Sequence, residues 1–286
     1  MWVYLNGQIL EEDQAFISPL DRGFTFGDGV YEVIPSYNGR LFLFDDHLKR
    51  LKTSLEKTFI PLTDDIKNLH EILFKLQQKN QFLNQSFYVQ VTRGVDRVRV
   101  HAADEKMEPT IFITSQELQD NPFRINPSKE GLTVRLEEDI RWHRCDIKTI
   151  ALLGNTLALN DPTKSMVDEI IFHKDGIINE GSKANIFVFY KGQILTPSLH
   201  QNILPGITRS FIIEELKKKD IEILETEITI EMLLSSEEVW LSSSTKEVQP
   251  VSKINENILP KKKPEDSMWY KACLLYTSPS PRDVEE

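Results

Sequence analysis

Two cysteines in 286 residues, Cys145 and Cys273, are too few for a disulfide framework and form no metal-ligand pattern, which suits a reducing compartment. Positive charge is scarce too: 34 Lys and Arg against 44 Asp and Glu leave a formal net charge of -10. Phosphate backbones are held by basic surfaces, so nucleic acid is disfavoured as a main partner. No apolar run approaches the ~20 residues that span a bilayer. The opening MWVYLNGQIL has no basic stretch ahead of an apolar one. The expected setting is cytoplasmic, without membrane, nucleic acid or metal. Residues 1–260 also lack internal repeats and low-complexity tracts.

What remains is an ordinary soluble composition, 40% hydrophobic and 27% charged, in a chain long enough for two cores of common size. Strand and helix patterns alternate, which predicts an α/β (α+β) protein of two lobes. In the first, Asn6-Gly7 marks a hairpin, Asp45 is placed to cap a helix carrying Leu48, Leu51 and Leu55, and Ile66, Leu69, Leu73 and Leu76 recur at helical spacing. Phe87, Val89 and Val91 alternate with polar residues, and PTIFITS is a strand ending at Ser115. This gives an N-terminal domain over 1–118 and a polar linker over 119–123, where Asn121-Pro122 interrupts regular structure. The second domain, 124–272, has hairpins at Asp175-Gly176 and Lys191-Gly192 and a helix after Pro205-Gly206. From Cys273 the string CLLYTSPSPRDVEE has two prolines and no apolar period. It resembles translated sequencing-adapter read-through, so 273–286 is expected to be a non-native tail.

Chemistry concentrates in EEDIRWHRCDIKTIALLGN, where Lys148 follows several arginines in an apolar frame. An ammonium near fixed cations and partly out of water is harder to protonate, and the free amine attacks carbonyls. A surface lysine in a basic loop is the plain alternative. Gly206-Ile207-Thr208 at a helix start can offer backbone N–H groups and a hydroxyl to a phosphate, and the serine run through Ser244 offers more hydroxyls. Either feature alone also reads as a turn or a solvated loop. Arg50 on an amphipathic helix is either a surface charge or an inward phosphate ligand. Glu180 in INEGSKAN is either an exposed carboxylate or a buried one able to keep a pyridine nitrogen protonated.

EDIRWHRCDIKTIALLGN, INEGSKANIFVF, ILPGITR and LSSSTKEVQPV stand in the order and spacing of the class IV pyridoxal-phosphate aminotransferases. The chain resembles that family from the first hairpin to about Val251, and within it the D-amino acid aminotransferases. The resemblance implies the fold-type-IV architecture, with pyridoxal 5'-phosphate between the lobes and Lys148 as the Schiff-base lysine and proton carrier. It implies that Glu180 holds the ring nitrogen, that Arg50, Ile207, Thr208 and Ser244 bind the phosphate, that Leu204 packs on the ring, and that Ser182 lies beside the cofactor. Tyr31 in GDGVYE and the Arg-x-His pair Arg99 and His101 would trap the substrate carboxylate, the pair reaching a neighbouring subunit in a homodimer. The implied reaction is ping-pong transfer of an amino group from a D-amino acid of the D-alanine type to a 2-oxo acid such as 2-oxoglutarate or pyruvate. Branched-chain L-amino acid aminotransferase and aminodeoxychorismate lyase share the fold and stand as alternatives. Lys183 and His143 depart from the family pattern; each is a candidate neighbour of the ring or the substrate.

Overall fold

The computed structural model describes residues 1–104 and 106–277 of the chain. Two compact units emerge. One comprises residues 1–119 with 147–152; the other takes 120–146 and the chain from 153 onward.

The first unit is built on β1 (Trp2–Leu5), β2 (Gln8–Glu11), β3 (Gly29–Tyr37), β4 (Arg40–Leu41), β5 (Gln85–Thr92) and β6 (Thr110–Glu117). They form an antiparallel sheet in the order β2-β1-β6-β5-β3-β4. Its helices are α1 (Arg22–Phe26), α2 (Phe44–Lys57), α3 (Asp64–Lys67) and α4 (Leu69–Asn80). Asn6 and Gly7 both take positive φ in the β1–β2 turn, as a two-residue hairpin of this type requires. Asn38 and Gly39 do the same between β3 and β4. Val30, Ile34, Phe87, Val89 and Val91 line one face of the sheet and pack with Leu51, Leu55, Leu69, Leu73 and Leu76. Asp45 does not cap α2: the capping position is Leu43, which adopts left-handed geometry, and Asp45 sits inside the first turn, favourable to the dipole only.

Residues 147–152 complete this unit. Tyr31 N–H donates to the Lys148 carbonyl at 2.9 Å, and Ile150 N–H and the Thr149 hydroxyl both donate to Gly29 O at 3.1 Å. A Cβ on Gly29 would lie 2.8 Å from Val91 O and 2.9 Å from Ile150 Cδ1, so a side chain there would drive the lysine-bearing segment away from β3.

The second unit holds β7 (Leu132–Glu138), β8 (Glu169–Lys174), β9 (Ile177–Gly181), β10 (Asn185–Tyr190), β11 (Gln193–Pro197), β12 (Ile223–Thr226), β13 (Glu238–Ser243), β14 (Glu247–Ile254) and β15 (Asn257–Ile258). The sheet runs β12-β11-β10-β13-β14-β7-β8-β9, with β15 on β14. It is mixed: β7 lies parallel to β8 and to β14, and β11 parallel to β12. Asp175-Gly176 and Lys191-Gly192 turn with positive φ as their sequences require. Its helices are α5 (Pro122–Ile125), α6 (Leu153–Leu159), α7 (Ile207–Lys217), α8 (Ile230–Leu234) and α9 (Met268–Cys273). The polar stretch over 119–123 is more ordered than a linker. Asn121 caps α5 by accepting from Phe123 N–H, Pro122 fills the position where no amide is needed, and Phe123 is buried. Packing also continues past 273: Trp269, Ala272 and Cys273 of α9 and then Leu275 are buried. Residues 278–286 of the expected tail lie outside the described residues.

Candidate active site

Alternation along β3 sorts two kinds of residue. Tyr31 and Val33 share the face opposite the helical core, across from Gln90 and Tyr88 of β5. The Lys148 Nζ stands 4.4 Å from the centre of the Tyr31 ring. It makes no ion pair with a carboxylate among the described residues, and it is half-buried. Tyr31 stacks at a tilt on Tyr88, 5.5 Å between ring centres, and Tyr88 donates to Gln90 at 2.7 Å. Burial, with Tyr31 beside it, raises the Tyr88 phenol to about 12. The arginines that flank Lys148 in sequence are engaged elsewhere: Arg141 holds Asp139 and Glu180, and Arg144 holds Asp146.

Glu32, one residue past Tyr31, points the other way, into the core with no solvent exposure. Arg50 grips it with two nitrogens, Nε to Oε2 at 2.9 Å and Nη2 to Oε1 at 2.6 Å, and His47 Nδ1 lies 3.0 Å from Oε1. Burial pushes the Glu32 carboxyl up, but the charge of Arg50 and the contact with His47 outweigh it and hold the group well below the usual range. Burial, more than it is offset by Glu32, lowers the His47 imidazole, with Arg50 and Lys148 adding repulsion. Arg50 is thus an inward residue with a carboxylate partner that its helical spacing did not reveal. His47 and Glu32 were missed because a lone carboxylate in a strand reads as a solvent-facing residue; His47 and Arg50 one turn apart on α2 were the available signal.

Arg99 and His101 sit in the irregular stretch after β5, both exposed. Both rest on one ring, Phe26: the Arg99 guanidinium carbon is 4.7 Å from its centre and the His101 ring 5.6 Å.

In the second unit Glu180, near the end of β9, is buried and accepts three hydrogen bonds: from Arg141 Nη1 at 2.7 Å, Leu204 N–H at 3.1 Å and Asn185 Nδ2 at 3.2 Å. Burial raises its carboxyl to about 7; Arg141 and the Leu204 amide pull the other way, and Asp139 adds to the rise. Asn185 also donates to Leu204 O at 3.0 Å, tying the carboxylate to the turn that opens α7. A Cβ on Gly206 would fall 1.8 Å from Asn185 Oδ1, so this turn needs glycine for close approach. The N–H groups of Ile207 and Thr208 belong to the first turn of an 11-residue helix and have no carbonyl one turn earlier inside it. Ser242, the cross-strand partner of Asn185, is buried, and its Oγ has no partner among the described residues; Ser244 follows, half-buried in the turn after β13. Leu204, Glu180, Ile207, Thr208 and Ser244 are therefore gathered around one end of this sheet, where an anion would meet amides and hydroxyls.

Ser182 is buried and bonded through its hydroxyl and amide to Glu169, while its carbonyl accepts from Asn155. Glu169 and Asn155 hold the strand end that presents Glu180; Asn155 closes the quoted EDIRWHRCDIKTIALLGN string without a role read from it, and nothing in the local sequence marks Glu169. Lys183 points outward, 63% exposed and 4.0 Å from Glu169. His143 is exposed.

The family model described as amino-transferase class IV matches residues 29–254. A D-alanine aminotransferase from Listeria monocytogenes serotype 1/2a is 37% identical over 257 residues, covering 89% of this chain and 88% of its own. One from Staphylococcus epidermidis is 36% identical, with 90% of each chain covered. Among solved structures, Escherichia coli branched-chain amino acid aminotransferase superposes with a TM-score of 0.88 at 20% identity, over 100% of this chain and 96% of that one. A PLP-bound hypothetical aminotransferase from Mycobacterium tuberculosis gives 0.81 at 19% identity, over 95% and 97%. At such identities the structural matches speak for the fold alone. The sequence matches go further, and the chain belongs to the class IV aminotransferases.

Proposed function

We propose that the protein is a pyridoxal-phosphate-dependent D-amino acid aminotransferase, moving an amino group from a D-alanine-type donor to 2-oxoglutarate or pyruvate by ping-pong turnover. The observation that carries this reading is the half-buried Lys148 amine 4.4 Å from the Tyr31 ring centre, in no ion pair with a carboxylate among the described residues. When bound, pyridoxal phosphate supplies an aldehyde that captures amines and a ring that takes up the electrons of the broken Cα–H bond. The residues present fit it: a buried carboxylate for a ring nitrogen, first-turn amides and a buried hydroxyl without a partner among the described residues for an ester phosphate, and an amine for the aldehyde.

Each residue then has a task. Lys148 Nζ would hold the cofactor at rest and would otherwise take the proton from the substrate Cα and return it. Glu180 would hold the ring nitrogen protonated, and Leu204 would pack on the ring. Ile207 and Thr208 N–H groups, the Ser244 hydroxyl and Arg50 would bind the phosphate, Arg50 being oriented by Glu32. Ser182 lies beside the cofactor. Tyr31, Arg99 and His101 donate to the substrate carboxylate. The pair Arg99 and His101 serves a neighbouring subunit of a homodimer; Phe16, Phe24, Phe59 and Val98 of the first unit, each more than 60% exposed, supply apolar area for such a contact. The two free, buried cysteines suit the cytoplasm.

Borohydride reduction followed by peptide mapping tests the covalent lysine: label at position 148 is expected, and label elsewhere or none defeats the reading. Lys148→Ala should lose nearly all transamination. D-Alanine should bleach the visible band of the yellow protein; a band that answers only to L-leucine would transfer the assignment to the branched-chain alternative.

A further inference from the structure

Arg22 is only 4% exposed, and none of the roles above uses it. Its guanidinium nonetheless makes a full set of contacts. Nε donates to Asp28 Oδ2 at 2.9 Å, Nη1 to the Val100 carbonyl at 2.7 Å, and Nη2 to the His101 carbonyl at 2.9 Å. Nη1 also lies 3.5 Å from Asp96 Oδ2, and the guanidinium carbon is 4.6 Å from the centre of the Phe26 ring. Asp28 is held in turn by Arg93, whose Nε lies 2.8 Å from Oδ2.

These contacts converge on one stretch of chain. Residues 93–104 contain no helix or extended strand, only an isolated bridge between Asp21 and Val95. A segment with so few bonds of its own keeps one shape only if something else fixes it. Gly94 O accepts from Arg22 N–H at 2.8 Å at its start, and the Arg22 fork takes the carbonyls of Val100 and His101 at its end. Arg99 lies between those points, and both it and His101 lie on the same Phe26 ring that Arg22 covers.

We infer that Arg22 is a positioning residue for carboxylate recognition: by holding the Val100 and His101 carbonyls and sharing Phe26, it sets the directions in which Arg99 and His101 present their donors. This rests on the reading of Arg99 and His101 as the carboxylate-binding pair. Arg22 touches no substrate in this scheme. A planar fork is needed because two carbonyls and a carboxylate are held at once; an ammonium on a flexible stem keeps the charge and loses that geometry.

The test uses the cofactor-loaded enzyme and three variants. Arg22→Lys should raise KM for D-alanine and for 2-oxoglutarate about tenfold, with kcat changed by less than about twofold, the pattern of lost binding common to ground and transition states. The visible cofactor band should be unaltered, and so should the rate with a primary amine that has no carboxylate. Arg99→Ala should show the same split, larger. If Arg99→Ala leaves both KM values alone, the carboxylate pair itself fails; if it raises them while Arg22→Lys does not, only the present inference fails. An Arg22→Lys protein that loses carboxylate and amine substrates in equal proportion also overturns it, because that is what a merely structural role produces. Should Arg22→Lys not fold, Phe26→Leu, which keeps the apolar bulk and removes the shared ring face, should give the same KM split, and an unchanged KM there overturns the inference.

Discussion

Glu32 and Glu180 are the same residue type at nearly the same depth, one in each unit, and they behave in opposite ways. Glu32 is held by two nitrogens of Arg50 and has an imidazole beside it, so it stays ionised despite complete burial. Glu180 shares Arg141 with Asp139, and the second carboxylate weakens the cation's hold, so burial wins and the group sits at about 7. The number of cations per carboxylate, not depth, separates a fixed charge from a titratable one. In the first unit the pair serves as a permanent support for Arg50. In the second, under the proposed function, the acid is one that a protonated ring nitrogen would draw into the charged form.

The comparison can be broken at either end. The largest effect is expected at Glu180→Gln, which keeps the shape and removes the charge: kcat should fall by about 100-fold or more, measured by steady-state kinetics at saturating D-alanine, because the ring nitrogen loses its anionic partner. Next, Glu32→Ala should act on stability as well, leaving Arg50 and His47 buried without their acceptor; a loss of about 3 kcal/mol in denaturant unfolding is expected. The two acids also differ in pH dependence. Glu32, depressed in the fold, contributes stability that is present above its unfolded value near ~4.3 and is lost as pH falls toward its folded one. Glu180, raised in the fold, keeps its proton where the unfolded chain has lost it, so its contribution to stability falls as pH climbs from the unfolded value near ~4.3 to about 7 and is level above that. Arg141→Gln should therefore shift the acidic limb of the kcat/KM profile to higher pH, since the cation that favours the ionised form is gone. The smallest effect belongs to Lys183→Ala: a mostly exposed amine 4.0 Å from Glu169 should change kcat/KM by less than about twofold.

Much of the framework was legible where one local rule suffices. Turns at Asn6-Gly7, Asp175-Gly176 and Lys191-Gly192 need positive φ, and their residues announce it. Alternation at Phe87, Val89 and Val91 named a buried face correctly. The rule failed where the deciding partner is distant in sequence. Asp45 looks like a cap, but the chain enters α2 through left-handed Leu43. Asn121-Pro122 interrupts regular structure after β6, and the short helix it then opens is the part the sequence reading did not name. Arg141 appears to surround Lys148 with charge, whereas its guanidinium lies on Asp139 and Glu180. Glu32 and Asn185 lie within quoted motifs without a role read from them, and His47 and Arg22 lie outside; each becomes interpretable only when strand pairing or a helix crossing supplies its neighbour.

The connectivity of residues 147–152 has a practical outcome for anyone dissecting the molecule. The polypeptide finishes most of one unit at Gln119, spends 27 residues in the other, and comes back for six before leaving again. A single cleavage near residue 119 would thus release an N-terminal fragment stripped of Lys148 and of the Ile147 side chain from its core. Neither half can be prepared by simple truncation; a shortened gene would have to rejoin that hexapeptide by an artificial link.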